Sequence, residues 1–201
     1  KRLFDCMGLT WIEAPMEAEG AGAVRCSRGE VGAVASQDWD TLLYGSPVMV
    51  RNLTAHGTRK FGRVMQAEMI VLSEMLEKLG ISQEQLVDLG IMIGTDFHPG
   101  FKGIGPKTGL KLIKEHGDLE SVAELKGHEI PDNLDEIRSL FLDHPVGSEP
   151  LPESTKAVEE DMIEFLQDEK GFSDARMKRA LDRFSGVGKL KSKSRPTIFD
   201  F

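Results

Sequence analysis

The stretch LGIMIGTDFHPGFKGIGPKTGLKLIKEHG, residues 89–117, holds the pattern that decides the predicted fold. The glycines at its centre are followed by Pro106, and proline is favoured at the first position of a helix. A helix is therefore predicted over residues 106–116, and Gly117 marks its end. An apolar helical pattern also precedes the glycines. The stretch thus predicts a helix–turn–helix unit about the turn at residues 100–105.

Helices are also predicted on the N-terminal side of this unit. Ser82 followed by Gln85 resembles a capping box and opens a helix that continues to Ile93. Between Gln66 and Gly80 the apolar residues have helical spacing, which predicts a further helix packed on the core. Its apolar residues are Met69, Ile70, Leu72, Met75, Leu76 and Leu79.

Near the N-terminus the pattern alternates between helix and strand. The segment from Pro15 to Arg28 predicts a helix, because a proline and two acidic residues stand at its start. The apolar run 31–35 predicts a buried strand, and a second strand is predicted over residues 48–53. The alternation indicates an open α/β sheet.

Five acidic residues lie next to these predicted elements. Asp38 and Asp40 follow the first strand two residues apart, so their side chains are predicted to point together beyond its carboxyl end, where α/β sheets bind ligands. Glu17 and Glu19 lie in a first helical turn, and Asp96 precedes the glycine turn. Carboxylates without His or Cys suit hard ions such as Mg²⁺ or Mn²⁺. Each acid also has a simpler explanation. The two glutamates would stabilise the helix dipole without binding a metal ion, and Asp96 would cap a turn.

The glycine turn suits a phosphate ligand. Gly103 and Gly105 allow a close approach of the backbone to a phosphate, and the free N–H groups at a helix start donate to anions. Lys102, Lys107 and Lys111 add positive charge around the turn. The alternative is a helical hairpin that serves only packing.

Composition bounds the class of protein. With 201 residues, 40% of them hydrophobic, the chain can bury one good core. Residues 129–169 hold 13 acidic side chains against Arg138 and Lys156, so the remainder carries +3 although the whole chain carries −8. Nucleic acid is therefore not excluded, because a polyanion responds to the local field. No apolar run approaches the ~18 residues of a membrane span. Cys6 and Cys26 stand beside apolar positions and are predicted to be inert reduced thiols.

The C-terminal part has a weaker pattern. Short helices are predicted over residues 161–167 and 173–184, and the Gly-, Ser- and Lys-rich residues 185–201 predict a flexible basic tail. Three regions follow: an α/β part with the glycine turn (1–120), a helical region (121–184) and the tail.

Three stretches carry a resemblance to a known family: APMEAEGAGA (14–23), SQDWDTLLYGSPVMVRNLT (36–54) and residues 89–117. In order, spacing and residue type from about Leu3 to Gly117, they closely resemble the flap endonucleases, the structure-specific 5′ nucleases of archaeal and eukaryotic replication. The resemblance implies an α/β fold, with a partial PIN-like nuclease core of a parallel sheet flanked by helices. It also implies a helix–turn–helix (H2TH-type) DNA-binding unit and a helical C-terminal region.

The resemblance implies roles for particular residues. The five acids would be catalytic ligands of two Mg²⁺ ions, or Mn²⁺, about 4 Å apart, one activating water and one stabilising the leaving oxygen. The glycine turn would hold the backbone of duplex DNA, in this family often with a bound K⁺. The residues implied to contact DNA are Glu17, Gly94, Asp96, Lys102, Gly103, Ile104, Gly105, Lys107 and Lys111.

The implied function is endonucleolytic cleavage of 5′ flaps, with 5′–3′ exonuclease activity, on flap and nicked duplex DNA in replication and repair. Such a protein would be intracellular, in the cytoplasm of an archaeon or the nucleus of a eukaryote. Two further metal-site aspartates and a cationic clamp of the family would precede the residues present here, so little or no activity is expected of this chain alone. Gly20 and Gly22 stand where the family usually has alanine or a larger residue, and each is expected to cost about 1 kcal/mol of helix stability.

The C-terminus resembles the peptide with which the family binds the sliding clamp (PCNA). Ile198 and Phe201 are in register with its aliphatic and first aromatic positions, whereas Arg195 replaces its glutamine and the chain stops before its second aromatic residue. A competing interpretation is a non-catalytic adaptor that binds duplex DNA and the clamp, although an adaptor would not need five carboxylates at these spacings. A third, a structural domain with an acidic face, leaves GIGPKTGLKLIK (103–114) unexplained.

Overall fold

The computed structural model describes residues 1–55, 57–60, 62–147 and 149–190. These residues form two compact units. One unit comprises residues 13–149, and the other combines residues 1–12 with the chain from Pro150 onward. The predicted clamp peptide, with Ile198 and Phe201, lies outside the described residues.

Helices dominate both units. In chain order they are α1 (Arg2–Cys6), α2 (Ala18–Ser27), α3 (Asp40–Leu43), α4 (Leu72–Leu79), α5 (Gln83–Ile93), α6 (Pro106–His116), α7 (Leu119–Lys126), α8 (Leu134–Leu142), α9 (Glu159–Ile163) and α10 (Asp174–Leu190). The strands are β1 (Val34–Ala35), β2 (Val48–Arg51), β3 (Arg59–Lys60), β4 (Arg63–Val64) and β5 (Glu68–Val71). A π-helical turn, Glu164–Glu169, follows α9.

The α/β class is confirmed, but the sheet is mixed where a parallel sheet was predicted. β1 pairs with β2 in parallel, with Val34 opposite Met49. β2 pairs with β5 in antiparallel orientation, with Met49 opposite Ile70. The chain returns from β2 to β5 through the short β3–β4 hairpin, and without a crossover helix a neighbouring strand runs antiparallel.

Two predicted elements of the sheet region are wrong in extent. The helix predicted between Gln66 and Gly80 begins only at Leu72, because Met69 and Ile70 belong to β5 and pair with β2. Helical spacing in a short apolar run does not distinguish a helix from a strand. The strand predicted over residues 31–35 is reduced to β1, which is not buried.

The capping signals predicted the ends of α5 and α6 accurately, but not the start of α2. The Ser82 hydroxyl accepts a hydrogen bond from the Gln85 backbone N–H, and the Gln85 side chain returns one to the Ser82 N–H, so the capping box that opens α5 is confirmed. Pro106 begins α6, and Gly117 ends it. The helix predicted from Pro15 starts later, at Ala18, with Glu17 as its N-cap residue.

α5 is the central helix of the larger unit and packs on α3, α6, α7 and α8. Its inner face is fully buried at Val87, Ile91 and Met92. One charged side chain shares this face: Asp88 is 4% exposed. It accepts hydrogen bonds from the Arg138 side chain at 2.7 and 2.8 Å and from the Leu119 backbone N–H at 3.0 Å. The pair therefore links α5 to α7 and α8.

The smaller unit has its own apolar cluster. Cys6, Met162 and Met177 are buried, and side chains of the π-helical turn and α10 pack around them. Cys6 and Cys26 are both buried free thiols, as predicted. In the part of the chain that the structure describes, no helix has the length and apolar character needed to cross a bilayer. α7 and α8 pack within the unit 13–149, so packing sets no boundary at residue 120, and the functional division predicted there stays a prediction.

The Arg138–Asp88 pair gives a stability prediction. Arg138→Met leaves the Asp88 carboxylate buried without its cation and is expected to lower the free energy of unfolding by about 3 kcal/mol. Urea unfolding followed by circular dichroism measures the change. Arg63→Met, at an exposed arginine of the β3–β4 hairpin, is the matched control and should stay within about 0.5 kcal/mol. Equal losses in the two variants would contradict the assigned role of the pair.

Candidate metal centre and phosphate-binding turn

The first acidic segment is the start of α2. Glu17 is the N-cap residue and has an extended backbone, whereas Glu19 lies in the first turn. Glu17 is exposed and Glu19 is half-buried. The Ser36 hydroxyl donates a hydrogen bond of 3.2 Å to Glu19 Oε1. The start of α2 is thereby tied to the chain that follows β1.

The second acidic segment is a turn and not the end of a strand. β1 stops at Ala35, and the Asp40 backbone N–H donates to Asp38 Oδ1 at 3.0 Å, while Asp40 opens α3. The Asp38 backbone N–H donates to the Ser36 hydroxyl at 3.0 Å. The strand geometry predicted for the two aspartates is therefore wrong. Local hydrogen bonds of an Asx type hold them instead.

The third acidic segment joins α5 to the glycine turn. Asp96 is exposed in the tight turn between Thr95 and His98, whose backbones pair. Gly94 ends α5 with φ 123°, and a Cβ there would stand 3.1 Å from the Pro99 carbonyl oxygen. Glycine is therefore required at residue 94 by both conformation and space.

Electrostatics shows that the three segments converge. The pKa of Asp40 is raised from 3.8 to about 6, first by partial burial and then by the charges of Asp38, Asp96, Glu19 and Glu17. Burial and four of the five acids, with Glu17 the strongest of them and Asp40 the next, also raise the pKa of Tyr44. The other four acids predicted from the sequence thus lie near enough for their charges to act on Asp40.

The donor set fits a hard divalent ion, because it consists of carboxylate oxygens. The side chains are not gathered into a coordination shell, however. Among the described residues, no three His, Cys, Asp or Glu side chains are grouped so as to hold one ion. The five acids would be the ligands, and an ion would also offset their mutual repulsion.

The glycine turn presents an open backbone. Gly103 has φ 86°, Gly105 is the N-cap residue of α6, and a Cβ at either would meet nothing within 4 Å. Lys102 and Lys107 are exposed at the turn. Ile104 is 8% exposed, so its side chain anchors the turn in the core and only its backbone can face a ligand.

Lys111 lies one helical turn further along α6, and its ammonium group is 3.7 Å from the Glu115 carboxylate. Both side chains are largely exposed, so this ion pair is weak and leaves the lysine able to face an anion.

Several residues at the site escaped the sequence analysis. Ser36 joins Glu19 to Asp38, and its signal was its place two residues before an aspartate, where hydroxyls form turns. Trp39 lies between the two aspartates, is 51% exposed, and carries the Arg51 guanidinium 4.1 Å above its ring. Its position between two acidic residues was the sequence signal that could have identified Trp39.

The charges around Asp40 give a pH prediction. Without metal ions, Asp40 is expected to titrate near pH 6, and Asp38→Asn is expected to lower that pKa because it removes the strongest like charge. Between pH 3.8 and about 6 the folded chain holds a proton that the unfolded chain has released, so stability falls as pH rises through this window. NMR titration of the aspartate carboxyl carbons measures the pKa. Glu124→Gln, at an exposed residue of α7, is the control; an Asp40 pKa near 4 would refute the convergence.

Comparisons with known proteins give similar chains and structures. Residues 8–96 match the XPG I-region family. Flap endonuclease 1 of Methanothrix thermoacetophila is 45% identical over 190 residues, which cover 92% of this chain and 56% of that protein. The structure of flap endonuclease-1 from Methanococcus jannaschii has a TM-score of 0.79 at 37% identity and covers 94% of this chain and 56% of its own. The Holliday junction-resolving enzyme GEN1, in complex with product DNA and Mg²⁺, has a TM-score of 0.62 at 27% identity over 84% of this chain and 49% of its own.

The chain thus spans about half the length of the curated relatives that it matches. The matches nevertheless cover more than nine tenths of this chain, in sequence and in fold. By its sequence and its fold, this chain belongs to the flap endonuclease family.

Proposed function

We propose that this chain carries the metal-ligand acids and the duplex-binding turn of a structure-specific 5′ nuclease. The observation that carries the proposal is the convergence of four acids on Asp40. Two Mg²⁺ or Mn²⁺ ions, when bound by the five carboxylates, would activate water and stabilise the leaving oxygen in phosphodiester hydrolysis. The GEN1 structure with product DNA and Mg²⁺ supports this choice of ion and substrate class. The substrates would be 5′-flap and nicked duplex DNA.

The chain's own residues would hold and orient the reacting groups. The hydrogen bonds from Ser36 and within Asp38–Asp40 limit the rotation of two acidic segments, which preorganises their oxygens for an ion. Gly94 would lie close to a DNA strand beside Asp96, in a backbone conformation that glycine allows.

Duplex DNA would be gripped at the glycine turn. The free N–H groups at the start of α6 and the exposed Lys102 and Lys107 suit phosphate oxygens. Such contacts are independent of base sequence and weaken strongly with salt. A K⁺ ion held by the Gly103–Gly105 backbone belongs to the same proposal, and replacement of K⁺ by Na⁺ at constant ionic strength tests it.

The sliding-clamp contact through Ile198 and Phe201 remains part of the proposal and rests on the sequence pattern alone. A clamp contact would hold the chain at replicating DNA, inside the cell. The second candidate function, a duplex-binding adaptor without catalysis, shares the glycine turn and the clamp peptide. The two functions differ in the role of the five acids, because a nuclease needs them to bind divalent ions and an adaptor does not.

Metal binding is the decisive test. Isothermal titration calorimetry is expected to show Mn²⁺ binding by the chain that is lost in Asp38→Asn/Asp40→Asn, because two carboxylates leave the cluster. The control Glu74→Gln/Glu77→Gln removes two exposed carboxylates on α4 and should bind Mn²⁺ as before. No binding by the unsubstituted chain would favour the adaptor.

Cleavage of a labelled 5′-flap substrate in Mg²⁺ is then measured with the same variants. We expect cleavage to be weak with this chain alone and absent in the aspartate variant.

Duplex binding gives a separate prediction. Lys107→Gln is expected to weaken binding to duplexes of different sequence by the same factor and to reduce the slope of log K against log salt by about 1. Fluorescence anisotropy at several KCl concentrations measures both quantities. Lys126→Gln, at an exposed lysine of α7, makes the same charge change outside the turn. Equal effects of the two variants would mean that the glycine turn is not the DNA contact.

A further inference from the structure

Four rings connect the segments that carry the acids, and we call Phe97, Phe141, Tyr44 and His144 the aromatic ladder. Phe97 follows Asp96 directly, and its ring centroid is 5.6 Å from that of Phe141. The Phe141 ring is 4.9 Å from Tyr44, which is 4.9 Å from His144. Aromatic pairs at these separations attract each other beyond their burial. The ladder therefore couples positions that are distant in sequence.

The ladder reaches α2 through an unusually close contact. A Cβ on Gly20 would lie 2.6 Å from the Cγ and Cδ2 atoms of His144, so the imidazole packs directly on the backbone of the helix. Gly20 is the residue after Glu19. Tyr44 closes α3, which Asp40 opens. The ladder thus contacts all three acidic segments. It does so at Gly20 beside Glu19, at Tyr44 at the end of α3, and at Phe97 beside Asp96.

The identity of His144 is not explained by filling space. The side chain is 6% exposed, and its Nε2 atom has no hydrogen-bond partner among the described residues. An apolar side chain would avoid this buried unpaired nitrogen, which costs free energy. The Nδ1 atom, however, lies 3.2 Å from the Leu140 carbonyl oxygen, to which it donates. That hydrogen bond fixes the plane of the ring, which no apolar side chain could do.

We propose that His144 is a positioning residue for the carboxylate cluster and that Gly20 is its matched partner. The imidazole occupies the volume that a side chain at residue 20 would take, and so sets the distance between α2 and Tyr44. The first turn of α2, with Glu17 and Glu19, is thereby placed relative to Asp40. The consequence for metal binding rests on the proposed function, whereas the coupling of the three segments does not.

A set of four variants tests the pair: Gly20→Ala, His144→Ala, the double variant, and Gly22→Ala as control. Gly22 lies in the same helix, and a Cβ there would stand 3.3 Å from the Val34 methyl groups, a contact that a small shift relieves. The control therefore has the same gain in helix propensity as Gly20→Ala, without the collision with the imidazole.

The first readout is the backbone amide spectrum of the metal-free chain by NMR. Gly20→Ala is expected to shift the amide signals of Asp40 and Asp96 as well as those of α2, because the ladder transmits the displacement. Shifts confined to α2, as in Gly22→Ala, would overturn the proposal. This readout needs no metal and stands even if the chain binds no ion, in which case the proposed function alone fails.

The second readout is Mn²⁺ affinity by calorimetry. Gly20→Ala is expected to weaken binding about 10-fold, the scale usual for residues that orient ligands. His144→Ala in the same chain vacates the space and is expected to restore most of that loss. An affinity in Gly20→Ala equal to that of Gly22→Ala, or a loss that the second substitution does not repair, would overturn the proposal. If Gly20→Ala alone does not fold, a folded double variant supports the pairing and an unfolded one refutes it.

Discussion

Repulsion between carboxylates is the constraint on which the larger unit depends. Four acids act on Asp40 from three separate segments, and partial burial together with their charges raises its pKa. Like charges that share a partly buried site destabilise the fold that gathers them. Hydrogen bonds of Ser36 tie Glu19 to the segment of Asp38, but neither local hydrogen bonding nor helix propensity brings Asp96 to them. The packing of the core must do so, and the arrangement of the helices follows from that task.

The site is held at two ranges. At short range, Ser36 connects Glu19 to Asp38, and its own N–H donates to the Val50 carbonyl oxygen at 3.2 Å, which extends the pairing of β1 with β2. The small sheet therefore sets the position of one hydroxyl, and that hydroxyl sets two acids. At long range, Tyr44 at the end of α3 packs its ring on Phe141 of α8, about a hundred residues further along the chain.

The sequence separation between contacting residues decides what could be predicted from the sequence. The capping box at Ser82 and the proline start of α6 were predicted correctly, because capping depends on neighbours within a few residues. The motifs identified the five acids as a set. The partner of Gly20 could not be predicted, since His144 is 124 positions away and only the fold brings it near. The same applies to Met69, which helical spacing assigned to a helix and strand pairing placed in β5.

Glycines within the helices have a packing role that local propensity does not reveal. A Cβ on Gly90 of α5 would stand 2.7 Å from a Leu43 methyl group, and a Cβ on Gly109 of α6 would stand 2.7 Å from a Leu89 methyl group. Each glycine costs helix stability by itself, but each lets two helices approach more closely than any side chain would allow. Through Gly90, α5 comes against α3, which carries Asp40. Through Gly109, α6 comes against α5.

These close approaches fix a relation between the two candidate sites. α5 ends beside Asp96, and the backbone N–H of Phe101 donates to the Met92 carbonyl oxygen at 2.8 Å, so the glycine turn is anchored on the last turn of the same helix. The turn that would grip the duplex and the acids that would hold the metal ions therefore lie on one packed framework. Displacement of α5 would move both together. Under the proposed function, the turn that grips the duplex and the reaction centre would need a fixed spacing, which these glycine contacts would provide.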